Sequence, residues 1–149
     1  MTLPRRAARA LDVQQIYHSK FQIADLDADL DRDGYTSTSW NGDSFSNGAS
    51  GTINWVTAFG LPEKPKWVEL TVSVRDSASA GMNYYIAFKA KATTTNVSAY
   101  GDAEAAANNI YRDSCIGVPV ADDGTTHYAI AASGVNTMDI WIRVNAWIR

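Results

Sequence analysis

The sequence predicts an all-β fold, an antiparallel β-sandwich or jelly roll carrying an N-terminal arm. Three observations predict it. Several segments alternate apolar and polar residues with a period of two, as half-buried strands do. Gly, Asp and Asn punctuate the intervals between them. The composition is 46% apolar but only 19% charged, with abundant Ser, Thr, Asn and Gly, a balance better suited to strands and turns than to helical bundles.

Along the chain, residues 1–35 read as an anchoring arm and acidic linker, and residues 36–149 as the sandwich domain. The arm opens with Arg5, Arg6 and Arg9 and continues through Val13, Ile16, Tyr17, Phe21 and Ile23. Pro4 before RRAARAL suits a helix start, but the later apolar spacing fits neither helix nor strand. It reads either as a segment docking on a partner or as one folded back on its own domain. Residues 25–34, DLDADLDRDG, form a dense acidic run ending in a turn glycine.

The strands follow in order. Ile53 and Trp55 make a short run. Val68, Leu70, Val72 and Val74 alternate with Glu69, Thr71, Ser73 and Arg75, and Tyr84, Ile86, Phe88 and Ala90 with Tyr85, Ala87, Lys89 and Lys91. Residues 102–109, DAEAAANN, are the one stretch expected to form a helical turn or two. Ile116, Val118 and Val120 alternate next, then Tyr128, Ile130 and Ala132. In the final strand Met138, Ile140, Ile142, Val144, Ala146 and Ile148 are expected inward, leaving Trp141, Arg143, Asn145 and Trp147 outward. Asp122-Asp123-Gly124 and Ser133-Gly134-Val135-Asn136 carry hairpin chemistry and predict an antiparallel meander to the C-terminus.

Length and charge narrow the function. A chain of 149 residues suits one domain with its own core. A net charge of −3 and a pI near 5.2 speak against a nucleic-acid partner. No apolar run has membrane-spanning length and the start lacks the apolar core of a signal peptide, so no membrane association and cytoplasmic synthesis are expected. Cys115, the single cysteine, has no internal partner for a disulfide.

Candidate chemistry is sparse. Asp29, Asp31, Asp33 and Gly34 match the opening of a calcium loop, in which alternating carboxylates converge on a hard cation. Its twelfth position, however, is Trp40 where a bidentate glutamate belongs. The run therefore reads first as a solvated linker, with calcium as the alternative and no other cofactor expected. His18 and His127 show no metal-ligand spacing. A Cys115–His127 pair is conceivable across neighbouring strands, but a lone cysteine at the head of an apolar strand is more simply a small buried hydrophobe. No nucleophile elbow, phosphate loop or dinucleotide fingerprint occurs, and no enzyme is expected.

Aromatic residues carry the binding signal. Trp141, Arg143 and Trp147 on the outward side of the last strand, with Tyr85 outward on its own, can bury flat amphipathic surface at low entropic cost. Three uses are open to them: packing beneath another layer, contact between subunits, or stacking on a sugar.

Within residues 36–75, Ser39, Trp40, Gly42 and Asp43 precede a loop holding Phe59, Gly60 and Pro62, then a strand holding Val68, Val72, Val74 and Asp76. This succession, with the closing IAASGVNTMDIWIRV, resembles a domain of small tailed-bacteriophage virion proteins and tail fibres. The resemblance covers residues 36–149 and transfers no active residue. It implies a virion structural protein, foremost a tail fibre or baseplate-attached fibre component anchored by its arm. Assembly inside a bacterial host cytoplasm and a homotrimer contacting other virion proteins would follow. A capsid decoration protein and a carbohydrate-binding module for host surface glycans are the alternatives.

Overall fold

A computed structural model describes residues 21–23, 34–78, 83–93, 100–106 and 109–148. Nine strands form two antiparallel sheets packed face to face. They are β1 (Phe21–Ile23), β2 (Tyr35–Phe45), β3 (Ser50–Asn54), β4 (Trp67–Asp76), β5 (Tyr85–Lys89), β6 (Tyr100–Glu104), β7 (Arg112–Pro119), β8 (Thr125–Ala131) and β9 (Met138–Ile148). The first sheet runs β1-β9-β4-β7, with β2 also paired to β9, and the second runs β3-β8-β5-β6. The all-β sandwich follows from its sequence pattern.

The central pair of the first sheet shows why. Along β4, Val68, Leu70, Val72 and Val74 are buried while the intervening side chains are half-exposed. Opposite them on β9, Ile140, Ile142 and Val144 turn the same way. From the other sheet Ile53, Ile86, Phe88 and Ile130 complete the core. Burial of this continuous apolar layer is the main stabilising term.

The expected meander does not form. β7 lies in the first sheet, β8 in the second and β9 in the first again, so the turns at 122–124 and 133–136 carry the chain across the sandwich. The first still closes tightly, with the Gly124 N–H donating to the Ala121 carbonyl at 2.9 Å. Turn chemistry fixes a reversal; the pairing partner is set by which sheet can bury the next strand's apolar face.

Two further expectations are corrected. Residues 102–109 hold no helix among those described: 100–104 form β6, paired with β5. Ala103 and Ala105 are buried there, and small side chains at a tight inter-sheet contact override helix propensity. The helix present is α1 (Trp55–Phe59), a single turn after β3. Asn54 caps it by accepting from the Val56 and Thr57 N–H groups at 3.1 and 3.2 Å, and Gly60 ends it at φ 74°. It seats Trp55 and Phe59 across one end of the core, where the Trp55 indole donates to Thr126 Oγ1 at 2.9 Å.

Of the arm, residues 21–23 fold back: Phe21, Gln22 and Ile23 pair with Ile148, Trp147 and Ala146. Tyr35 then pairs with Val144, so β1 and β2 share one edge of β9. Arg5, Arg6, Arg9, Ile16 and Tyr17 lie outside the described residues, as do Asp29, Asp31 and Asp33 of the acidic run. At the far end of the sandwich three connections are laced together. Asn47 N–H donates to the Gly134 carbonyl at 2.8 Å, Ser77 N–H to the Thr137 carbonyl at 2.7 Å, and Ser133 N–H to buried Asp76 at 2.7 Å.

Candidate functional site: a cleft on the outer face of the first sheet

The last strand does not keep one phase. Glu69 pairs with Ala146 but Leu70 with Val144, so Asn145 is an extra residue on β9. Such a bulge reverses the faces of every residue beyond it. Trp147 is therefore opposite Val68, 2% exposed and part of the core, while Ile148 is only half-buried. This corrects the outward placement of Trp147. Tyr85 does face out, at 40% exposure, but on the second sheet. The expected aromatic row thus reduces to Trp141 and Arg143.

Those two residues stand ahead of the bulge, opposite Ser73 and Thr71. Beside them β2 leaves its register. Its pairing moves from Thr36–Arg143 to Asn41–Trp141, so the residues between Thr36 and Asn41 have only Ile142 of β9 opposite them. Of the surplus, Thr38 and Ser39 stay exposed while Ser37 is buried and Trp40 enters the core against Phe45 and Tyr128, with ring centroids 4.9 and 5.0 Å away. The irregularity opens a cleft of about 290 Å³. Thr36, Ser37, Trp40 and Asn41 line it from β2, Thr71 and Ser73 from β4, Asp113 from β7, and Trp141, Ile142 and Arg143 from β9.

The indole of Trp141 is held on two sides. Gly42, at φ 107°, lies so close that a β-carbon there would overlap the Cζ2 edge of the indole. Tyr111 meets it edge to face at 4.9 Å and 74°. The Tyr111 ring in turn carries the Arg75 guanidinium 4.5 Å from its centroid. Arg75 donates to Asp139 through Nε at 2.9 Å and through Nη2, and Ser44 Oγ–H donates to the same carboxylate. The hydrogen bond to buried Asp139 raises the guanidinium pKa, against the lowering effect of burial. A circuit through β2, β9, β4 and the residue before β7 thereby frames the indole.

On the other flank, Arg143 Nε donates to Asn145 Oδ1 at 3.1 Å, and Asn145 Nδ2 donates to Thr71 Oγ1 at 2.9 Å. The bulge residue thus orients the arginine beside the cleft. Tyr111, Asn41 and Asp113 carried no signal in the sequence, because none lies on an alternating stretch near Trp141.

The remaining candidates fall apart spatially. Cys115 is exposed on the outer face of the first sheet, correcting its expected burial, and its thiol contacts Glu69 Oε1 at 3.4 Å. Partial desolvation of the sulfur by its neighbours first, and the bond to Glu69 second, push its pKa up, away from thiolate character. His127 belongs to the second sheet, opposite Lys89 and Thr52, so the two do not form a pair. Among the described residues no group of three or more His, Cys, Asp or Glu gathers to hold a metal.

Compared with known proteins, the chain matches no protein-family model. No characterised protein matches its sequence either.

Proposed function

We propose that this chain is an attachment module of a bacteriophage particle, a tail fibre or baseplate-attached fibre component that works by binding. The observation that carries the reading is the polarity of the sandwich. β1, the described part of the arm, pairs with Ala146–Ile148 at one end. The β2–β3, β4–β5 and β8–β9 connections are bonded together at the opposite end. A module with its N-terminal strand at one end and hydrogen-bonded connections at the other suits projection from a particle, and the resemblance of residues 36–149 to phage fibre domains supports the same reading.

Among the closed symmetries open to identical chains, a homotrimer is the state that the resemblance to phage fibre domains favours. Light scattering on the full chain and on a chain lacking residues 1–20 tests this. A trimer that dissociates without the arm, and a full chain that co-purifies with phage structural proteins, support the assignment. A monomer in both forms, with no affinity for particle proteins, overturns it.

A further inference from the structure

We propose that the cleft beside Trp141 binds a neutral pyranose ring, the indole stacking on its C–H face. The inference rests on the attachment reading and names the ligand class that this face would take.

The cleft's size comes first. At about 290 Å³ it sits at the lower limit of small-molecule sites, roughly 300–1,000 Å³, which suits one ring better than a peptide or an extended lipid chain. Its chemistry comes second. The Trp141 indole, with the nearly buried Trp40 behind it, is accompanied by short hydroxyl, amide and carboxylate side chains: Asn41, Thr71, Ser73 and Asp113. A sugar presents the complementary surfaces, an apolar ring face for the indole and hydroxyls that both donate and accept. Most of the exposed lining is apolar, which suits the ring's C–H face, while Asn41, Ser73 and Asp113 can bond its hydroxyls.

Charge decides between neutral and ionic sugars. Arg143 and Asp113 line the same cleft with opposite signs, so an anionic ligand gains from one and is repelled by the other. A neutral ring can donate hydroxyls to Asp113 and accept from Arg143. Pre-organisation supports the same conclusion. Gly42 and Tyr111 hold the indole, and the Asn145–Thr71 bond holds the group that orients Arg143. Little side-chain freedom is then lost on binding. One ring on one indole gives weak affinity, with Kd on the order of millimolar, which a trimer raises by presenting several sites.

The test is saturation-transfer NMR on the full chain with methyl glycosides of glucose, galactose, mannose and N-acetylglucosamine, paired with a glycan array. At least one neutral pyranoside should show transfer to its ring C–H protons. Trp141→Ala should weaken binding at least tenfold. Asp113→Asn, a change at an exposed position, should weaken it severalfold with an unchanged melting temperature. It keeps the proposal testable if the tryptophan variant misfolds. No transfer from any neutral pyranoside together with a silent array overturns the proposal, as does binding that neither substitution alters. Sugar binding by a chain that joins no particle would remove the attachment reading and leave the site standing. Particle association without sugar binding would do the reverse.

Discussion

Trp141 and Trp147 lie on one strand, six positions apart, yet on opposite faces of its sheet. Trp141 is paired with Ser73 and edges the cleft, whereas Trp147 is paired with Val68 and fills the core. The single extra residue between them, Asn145, both reverses the strand's faces and supplies the amide that orients Arg143.

That division predicts unequal mutational costs. Trp147→Ala removes a buried ring and should cost about 3–5 kcal/mol. Trp141→Ala removes a half-exposed ring and should cost roughly 1 kcal/mol. Urea unfolding of both variants checks this, and equal losses would mean that β9 keeps one phase to its end.

Gly42→Ala should lower stability by about 1–3 kcal/mol for its positive φ, and by more because the new methyl overlaps Trp141. Gly48→Ala is the matched control, since Gly48 has φ 78° but nothing within 4 Å of its would-be β-carbon. The difference between the two costs isolates the glycine–indole contact. Identical costs would show that the contact contributes nothing.

Asp76 is fully buried and accepts from Ser133 N–H at 2.7 Å, Ala78 N–H at 3.2 Å and the Ser133 hydroxyl. Asp76→Ala leaves these donors unsatisfied and should cost roughly 1–3 kcal/mol. Hydrogen exchange should show faster opening at residues 133–137 than in the wild type. Unchanged protection there would mean that the two connections are held by their backbone bonds alone.

His127 gives stability a pH dependence. Burial first, then Lys89, lowers its pKa from the ordinary 6.5. Between the two values the unfolded chain binds a proton that the folded chain does not. Stability therefore falls as pH drops through about 6.5, and the loss is complete below the folded value. His127→Gln should flatten this part of the profile. Melting temperatures at about pH 7.5 and about pH 5.5 test it, and a fall equally steep in the variant would assign the effect to other groups.

The parts of the fold legible in the sequence are those governed by local alternation. β4 and the first two-thirds of β9 fall on the faces their period predicts, and Trp141 and Arg143 were identified for that reason. The bulge at Asn145 was hidden because Ala146, Trp147 and Ile148 are all apolar, so neither phase is penalised by the residues themselves. α1 leaves no periodic trace in the sequence, because one turn offers too few positions for a period, although Asn54 and Gly60 mark its two ends. The partners of Trp141 were invisible for another reason. Gly42 and Tyr111 reach it, and Asp113 reaches the cleft, through strand order, and turn residues such as Asp122-Asp123-Gly124 serve a hairpin and a crossing equally well.

Strand order also bears on how the molecule is made. β9 follows every other described strand in the chain, yet it occupies the interior of the first sheet, between β4 on one side and β1 and β2 on the other. Until it emerges from the ribosome, β1 and β2 have no neighbour in that sheet, and β4 shows a bare edge flanked by Val68, Leu70, Val72 and Val74. Nascent chains waiting in that state can pair with one another. The first sheet cannot close before β9 is made and, with its long-range pairings, folds slowly. Expression at low temperature or with holding chaperones should therefore raise the soluble yield more than any stabilising change to the finished core.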